Sequence, residues 1–153
     1  MNQITRRLEI DVGHRLLAHP GKCRNYHGHR LIVEVTCQAE GLDKVGRVVD
    51  FSVIKEKFGG WLDTYLDHGM VLQKGDPLAG WMLAKQIKPY YDAEYTFAED
   101  PKVLVVPFAP TSENLAKFLF EEAVTVMKDT GVVVTHLRLY ETPNCWSDYP
   151  VQR

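Results

Sequence analysis

Cysteine is scarce in this sequence, and long hydrophobic runs are missing. The 153 residues include three cysteines, an odd and sparse set that argues against a disulfide framework and for a reducing compartment. No stretch approaches the roughly 20 apolar residues of a membrane-spanning helix. The first ten residues, MNQITRRLEI, lack the apolar run of a signal peptide. We therefore expect a cytoplasmic protein.

A strong charge of either sign is also lacking. The formal net charge is -2 and the pI is about 6.3, so no basic field would recruit nucleic acid or anionic lipid. No internal repeat, low-complexity tract or linker interrupts the chain. The hydrophobic content of 45% and charged content of 25% are ordinary for a globular protein. We expect residues 1–153 to form a single domain.

Alternation of apolar and polar residues predicts two long strands, over 4–14 and 27–40. The segment 15–26 between them contains Pro20 and Gly21 and is predicted to be a loop. A last strand is predicted over 132–142, with Val133, Thr135, Leu137, Leu139 and Glu141 on one, inward face. Shorter elements are predicted at 46–50, as a strand or turn, and at 102–108, as a strand.

Apolar spacing of three and four predicts a helix over 51–66, capped by Asp50 or Ser52. Gly59 and Gly60 in its middle suggest a close-packing site. A second helix begins at Pro110-Thr111-Ser112-Glu113 and runs to about Lys128, and a short helix is predicted within 77–91. This order predicts an α+β domain, an antiparallel sheet with helices on one face. Assembly through open sheet edges is one way to cover them.

Three histidines share the predicted apolar face of the two long strands. His27 and His29 have the parity of Leu31 and Val33, and His14 has the parity of Ile10 and Val12. Side chains at i and i+2 on a strand are close enough to share one ion, and Gly28 between them permits close approach. Three imidazoles with a fourth position open are typical of a catalytic zinc site. His19 and His136 are expected to be structural.

Cys23 has two interpretations that its spacing leaves open. As a fourth ligand it would close the three histidines into a structural metal centre. As a free thiol beside Lys22, Arg24 and a metal, it would have a lowered pKa and act as a base or nucleophile. Cys37 is predicted to lie in the core, and Cys145 in a C-terminal loop.

Asp67-His68 and Glu141 are the other candidate polar groups. An adjacent aspartate can orient and charge the imidazole of His68, although a histidine at a helix C-terminus is also favoured by the helix dipole. Glu141 would be costly to bury unless it binds something. An N–H/NH2 edge, as in guanine or pterin rings, would suit it, and the alternative is a strand-end residue in solvent.

In combination these stretches resemble the 6-pyruvoyltetrahydropterin synthase / 6-carboxytetrahydropterin synthase family across nearly the whole chain. The matching residues occur in order: His14, Lys22-Cys23, His27-Gly28-His29, Val49-Asp50-Phe51, Leu66-Asp67-His68, Pro110-Thr111-Ser112-Glu113-Asn114 and Tyr140-Glu141-Thr142. Many members have two alanines before the first histidine, where this chain has Val12-Gly13. Relative to the shortest bacterial members, residues 73–109 contain an insertion.

The resemblance implies a tunnelling fold, a four-stranded antiparallel sheet with two helices on one face, assembled into an oligomeric barrel. It implies a homohexamer, a dimer of trimers, with sites between subunits. It also implies residue roles: His14, His27 and His29 as ligands of one Zn²⁺ per subunit; Cys23, Asp67 and His68 as catalytic residues; Glu141 as the pterin anchor; Thr111, Ser112 and Glu113 beside the pterin.

The activity that the resemblance implies is a zinc-dependent lyase reaction. 7,8-Dihydroneopterin triphosphate and water would give 6-carboxy-5,6,7,8-tetrahydropterin, acetaldehyde and triphosphate, a step toward queuosine. The alternative activity within the family is that of 6-pyruvoyltetrahydropterin synthase, which eliminates triphosphate without losing carbon. A zinc- or pterin-binding module without turnover is the alternative of another class. Arg15, Lys22 and Arg24 are candidate triphosphate partners, on charge and proximity in the sequence alone.

Overall fold

The structure, a computed structural model, describes residues 1–84, 88–89 and 94–151. The strands are β1 (Asn2–His14), β2 (His27–Ala39), β3 (Gly69–Gln73), β4 (Lys88–Pro89), β5 (Thr96–Glu99), β6 (Lys102–Val106), β7 (Val133–Thr142) and β8 (Cys145–Tyr149). The helices are α1 (Phe51–Ile54), α2 (Gly60–Tyr65), α3 (Pro77–Leu83) and α4 (Ser112–Met127). A 3-10 turn, Lys22–Arg24, lies in the loop between β1 and β2.

The strands form one mixed sheet in the order β4-β5-β6-β3-β1-β2-β7-β8. The two long strands pair antiparallel as β1–β2, as expected, and β7 pairs antiparallel with the other side of β2. The prediction of four antiparallel strands is wrong, because β3 runs parallel to both β1 and β6. Within 73–109, the strands β4, β5 and β6 extend the sheet beyond β3, and α3 precedes them in the chain. The α+β class is therefore correct, and the sheet is larger than expected.

The two faces of the sheet carry different layers. α2 and α4 contribute buried Leu62, Phe118 and Leu119 to the main core, together with Val33 and Leu139 from the strands. A smaller core on the opposite face joins Ala79 and Met82 of α3 to Leu72, Val103 and Val105. Alternation along β3 and β6 sends neighbouring residues to opposite cores. The predicted single layer of helices thus holds for α2 and α4, and α3 covers the other face.

A π-helical turn, Lys55–Gly59, separates α1 from α2 in the segment predicted as one continuous helix. The carboxylate of Asp50 caps its start by accepting from the Ser52 amide at 2.8 Å. A Cβ on Gly59 would lie 3.5 Å from Leu8, whereas one on Gly60 would meet open space. Gly59 thus packs beside Leu8 at an ordinary contact distance, and the close-packing prediction is wrong for Gly60.

Two other predictions change in detail. In β7 the register shifts opposite Thr36 and Cys37, so Val134 is buried and Val133 is exposed; the predicted inward position of Val133 is wrong. α3 ends at Leu83, and part of the predicted helix over 77–91 lies outside the described residues. Residues 46–50 form turns and bends without a strand.

The described helices are too short or too polar to cross a membrane. The longest, α4, has 16 residues and alternates a buried face with an exposed one, as expected for a helix lying on a sheet. The buried face of α4 packs against the sheet in the main core, and the exposed face is in contact with solvent.

Candidate active site

Strand register brings His14, His27 and His29 together, and we call this group the three-histidine cluster. His14 lies directly opposite His27 in the antiparallel β1–β2 ladder, and His29 lies opposite Val12. The three ring centroids are separated by 4.6, 5.0 and 5.1 Å. A Cβ on Gly28 would come within 3.2 Å of the Val12 carbonyl oxygen, so glycine allows the strands to approach here.

Backbone carbonyls fix the orientation of two rings in the three-histidine cluster. Nδ1 of His14 donates to the Pro110 carbonyl at 2.8 Å, and Nδ1 of His27 donates to the Asn25 carbonyl at 2.7 Å. A carbonyl only accepts, so these nitrogens carry the protons and each Nε2 keeps its lone pair. Such an arrangement orients imidazoles toward a metal ion.

The free nitrogens of the three-histidine cluster converge. One ring nitrogen from each histidine lies within 4.8 Å of the others. Among the described residues, Nε2 of His14 and of His29 are buried without a hydrogen-bond partner. Burial lowers the pKa of His14, as do His27 and His29, against an upward effect of the Pro110 carbonyl. His14 is thus neutral at pH 7, the form that binds metal, and the cluster fits a metal ion.

Cys23 does not join the three-histidine cluster. In the described part of the chain, ligand atoms converge in two groups, the three histidines and Asp11 with Asp67 and His68, and neither group contains a cysteine. Cys23 is partly buried on the 3-10 turn, and its carbonyl accepts from the Leu16 amide at 2.8 Å. This geometry favours a free thiol over a fourth ligand.

Cys23 and Glu141 line one pocket of about 380 Å³, which we call the thiol pocket. A Glu141 oxygen lies 3.7 Å from Nε2 of His29, too long for a hydrogen bond. The Glu141 carboxylate thus lies between solvent and the three-histidine cluster. It is neither buried, as one interpretation of the sequence expected, nor fully in solvent, as the other expected. Its oxygens remain available to a ligand in the thiol pocket.

The start of α4 forms a second wall of the thiol pocket, through Thr111, Ser112 and Glu113. Thr111 caps the helix by accepting from the Asn114 amide at 3.3 Å. The Ser112 hydroxyl contacts the Ser147 hydroxyl at 2.7 Å. Sequence reasoning missed Ser147 and the strand β8 that carries it, although Pro143-Asn144 followed by CWSDY is a turn and a short strand.

Asp67 and His68 form the predicted pair at the end of the segment after α2. His68 Nδ1 donates to Asp67 at 2.8 Å, and the other Asp67 oxygen accepts from the Asp11 amide at 2.8 Å. Burial alone would raise the pKa of Asp67, but the Asp11 amide and His68 lower it below the usual value. Left-handed backbone at His68, with φ of 59°, turns its side chain outward, 76% exposed.

His68 and Cys23 open onto different pockets of the same chain. His68 lines a pocket of about 430 Å³ with Gly28, His29 and Arg30, which we call the imidazole pocket. Cys23 does not line it, and His68 does not line the thiol pocket. Among the described residues, Cys23 and Glu141 therefore line one pocket and His68 lines another.

The remaining candidates have other surroundings. His136 pairs with Asp148 at 3.0 Å, and Nδ1 of His19 accepts from the Gly21 amide at 2.9 Å. Cys37 is fully buried, and burial raises the pKa of its thiol to about 11. The predicted loop position of Cys145 is wrong, because Cys145 begins β8 and lines the thiol pocket.

Comparison with known proteins gives consistent matches. The sequence model of the 6-pyruvoyl tetrahydropterin synthase family matches residues 3–151. A protein of Rickettsia bellii named 6-carboxy-5,6,7,8-tetrahydropterin synthase is 36% identical over 95% of this chain and 98% of its own length. A protein of the same name from Aquifex aeolicus is 29% identical over 84% of this chain and 75% of its own.

Solved structures share the fold. An uncharacterized protein of Wolinella succinogenes superposes with a TM-score of 0.80, at 24% identity over 96% of both chains. The 6-pyruvoyl tetrahydropterin synthase of Caenorhabditis elegans superposes with a TM-score of 0.66, at 23% identity over 99% of this chain and 96% of that one. At these identities the match concerns the fold alone.

Proposed function

Because this chain belongs to the 6-pyruvoyl tetrahydropterin synthase family, we propose that it is a 6-carboxy-5,6,7,8-tetrahydropterin synthase. It converts 7,8-dihydroneopterin triphosphate and water to 6-carboxytetrahydropterin, acetaldehyde and triphosphate. The observation that carries the proposal is the convergence of three imidazole nitrogens within 4.8 Å, beside a pocket that contains Cys23 and Glu141. The Rickettsia and Aquifex relatives bear the name of this activity.

Zn²⁺ is the metal proposed for the three-histidine cluster. The buried, unpartnered Nε2 atoms of His14 and His29 support this assignment among the described residues, since three neutral imidazoles leave a fourth zinc position open. Bound there, the ion supplies Lewis acidity toward the hydroxyls of the substrate side chain. His14, His27 and His29 hold it, and the carbonyls of Pro110 and Asn25 orient two of these rings.

Cys23 is the proposed base that removes a proton from the substrate side chain. This role is supported by the partial burial of Cys23 and by the pocket that it lines together with Glu141. The thiolate is the reactive form of cysteine. Lys22 and Arg24 flank Cys23 on the same 3-10 turn.

His68, oriented by Asp67, is the proposed group that returns or accepts protons. The Asp67 carboxylate accepts from Nδ1 of His68, which leaves Nε2 of the exposed imidazole to face a substrate. His68 lines a different pocket from Cys23. A complete site therefore takes Cys23 from one subunit and His68 from a neighbouring subunit of a homohexamer.

Glu141 is the proposed anchor of the pterin ring. A carboxylate accepts two hydrogen bonds from an N–H/NH2 edge, and Glu141 lines the thiol pocket beside Cys23. Thr111, Ser112 and Glu113 line the same pocket and contact the ring from the start of α4. A ring held at a fixed distance from the base and the metal lowers the activation barrier, because the reacting groups are already oriented.

Product analysis tests the reaction. The metal-loaded protein is incubated with 7,8-dihydroneopterin triphosphate, and the products are identified by mass spectrometry with a separate assay for acetaldehyde. We expect 6-carboxytetrahydropterin, acetaldehyde and triphosphate in equal amounts. Triphosphate release without acetaldehyde would instead assign 6-pyruvoyl tetrahydropterin synthase activity, the name of the family model.

Substitution of Cys23 separates an enzyme from a binding module. Cys23→Ala should lower turnover by roughly 10²–10⁴-fold, the usual contribution of a general base, while zinc content stays at one ion per chain. A variant that loses zinc together with activity would make the thiol a ligand and contradict the proposed role. A role in queuosine biosynthesis and a cytoplasmic location remain predictions from the sequence.

A further inference from the structure

The loop that carries Cys23 is held at its base by a residue from the far side of the sheet. Arg15 follows β1, Tyr26 precedes β2, and the loop 15–26 runs between these strands. Asp76, which caps α3, approaches both residues from the segment 73–109. We call Arg15, Tyr26 and Asp76 the loop clamp.

The contacts of the loop clamp are specific. Arg15 donates from Nε to one Asp76 oxygen at 2.6 Å and from Nη2 to the other at 2.9 Å. The Tyr26 hydroxyl donates to Asp76 at 3.1 Å, and the Arg15 guanidinium stacks 4.2 Å from the centre of the Tyr26 ring. The Asp76 carboxylate also accepts from the Leu78 amide at 2.9 Å. One carboxylate thus joins both ends of the loop to the start of α3.

The carboxylate at the centre of the loop clamp is removed from solvent, whereas Tyr26 is 46% exposed. Asp76 is 3% exposed, and the Arg15 side chain is 20% exposed. Burial by itself would raise the pKa of Asp76, but the hydrogen bonds from Arg15, Leu78 and Tyr26 lower it below the usual value. A buried, bidentate arginine–carboxylate pair is both strong and directional. Removing one partner leaves a buried charge without compensation.

The contacts of Arg15 also bear on its predicted role. Two donor nitrogens of its guanidinium are engaged by Asp76, and its plane is stacked on Tyr26. A triphosphate would have to compete with a carboxylate already held in bidentate geometry. The neighbouring Leu16 amide in turn holds the Cys23 carbonyl at 2.8 Å. Arg15 is therefore better described as part of the support of Cys23.

We propose that Asp76 is a positioning residue: through Arg15 and Tyr26 it holds the loop 15–26 and so sets the position of Cys23 beside the three-histidine cluster. The role of the held thiol in turnover rests on the proposed function, whereas the placement of the loop does not. The segment 73–109 therefore contributes to the site as well as extending the sheet.

Alkylation of the three cysteines tests the placement directly. The full-length, metal-loaded protein is treated with iodoacetamide, and labelling of each cysteine is followed by peptide mass spectrometry. Cys37 is fully buried and reports global unfolding, and a small free thiol added to every sample reports the amount of active reagent. In Asp76→Asn we expect the rate of Cys23 labelling to rise at least threefold relative to the wild type, with Cys37 labelling unchanged.

Matched variants separate loop placement from general destabilisation. Asp50→Asn removes another carboxylate that caps a helix and pairs with an arginine, Arg47, and should leave Cys23 labelling within 1.5-fold of the wild type. Arg15→Gln should resemble Asp76→Asn, and the double variant should be no faster than the faster single variant, because coupled residues are non-additive. If Asp76→Asn does not fold, Tyr26→Phe is used and a twofold rise is expected.

Kinetics give the second measurement. In Asp76→Asn we expect kcat to fall at least tenfold while KM stays within twofold, since the thiol is misplaced and the ring anchor is intact. Cys23 labelling within 1.5-fold of the wild type in Asp76→Asn and Arg15→Gln would overturn the proposal. Absence of wild-type turnover would instead reject the proposed function, and the labelling result would still decide the placement of the loop.

Discussion

Two backbone carbonyls select the nitrogen that each of two clustered imidazoles presents. Because Nδ1 of His14 and of His27 donates to a carbonyl, Nε2 remains as the ligand atom in both. This support comes from separate parts of the chain, Pro110 before α4 and Asn25 in the loop before β2. The three-histidine cluster is thus held by hydrogen bonds to the loop that carries Cys23 and to the residue that precedes the start of α4.

At the level of single residues, one prediction concerns the proposed zinc ligands. His14→Gln should lower zinc affinity by more than roughly 100-fold, because loss of even a hydrogen-bond partner of a metal ligand costs roughly 10–100-fold. His136→Gln is the control, since His136 pairs with Asp148 away from the cluster. Metal content after dialysis against a weak chelator measures the difference. Equal zinc in both variants would contradict the assignment of His14.

Among the elements, the helical segment after Asp50 combines a π turn with two glycines that differ in their surroundings. Gly59 faces Leu8, whereas Gly60 faces open space with ordinary helical backbone angles of -63° and -36°. Gly60→Ala should therefore raise the free energy of unfolding by about 0.5–1 kcal/mol, since alanine restricts the unfolded chain and favours the helix.

Gly131 provides the matched contrast for this prediction. Its φ of 78° lies in the left-handed region, so Gly131→Ala should lower the free energy of unfolding by roughly 1–2 kcal/mol. Urea denaturation of both variants at one protein concentration gives the comparison. A loss of stability in Gly60→Ala would show that the glycine has a packing role after all.

The long strands could be predicted because their period of two is undisturbed over 13 residues each in β1 and β2. The same alternation placed the three histidines together. The bulge opposite Thr36 and Cys37 could not be predicted, since it changes the parity of Val133 without a local sequence signal. Strands β3 and β5 were missed because they are short and give no clear alternation.

The arrangement of the candidate residues could be predicted where a short spacing or a strand period relates them, and not where a tertiary contact alone does. His27 and His29 are two residues apart, and Asp67 and His68 are adjacent. The contact of Arg15 with Asp76 joins residues 61 positions apart, and no spacing rule connects them. The separation of Cys23 and His68 into two pockets is likewise a product of tertiary structure.

The pairing of β7 with β8 leads to a prediction about pH. Arg138 donates to Asp148 at 2.7 and 3.0 Å, and these bonds, against the effect of burial, lower the pKa of Asp148 below its usual value of 3.8. A lowered folded-state pKa means that the contribution to stability is present above pH 3.8 and is lost as pH falls through the folded-state pKa.

Asp148→Asn should therefore lower the free energy of unfolding by about 1 kcal/mol at pH 7. The difference from the wild type should persist at pH 5 and shrink below pH 3.8. Urea denaturation across this range measures it, with Asp63→Asn, an exposed position on α2, as the control. A difference independent of pH would mean that the charge of Asp148 does not contribute.

At the level of the whole molecule, the edges of the sheet and the positions of the two pockets bear on how copies of the chain assemble. β8 pairs with β7 on one side and has no further strand on the other among the described residues. Unpaired edges are commonly covered by assembly. The thiol pocket and the imidazole pocket each contain part of the proposed machinery, and the proposed function takes Cys23 from one copy and His68 from another.

Subunit mixing tests this arrangement. Cys23→Ala and His68→Ala homo-oligomers should each be inactive, because every site lacks one group. Mixed oligomers, made by co-expression with two different tags and purified on both in turn, should recover about a quarter of wild-type activity, since random assembly pairs two intact residues in about one site in four. Each variant refolded or purified alone serves as the control. Mixed oligomers without recovered turnover would mean that Cys23 and His68 act from the same chain. The thiol pocket and the imidazole pocket would then have to move together within one subunit when substrate binds.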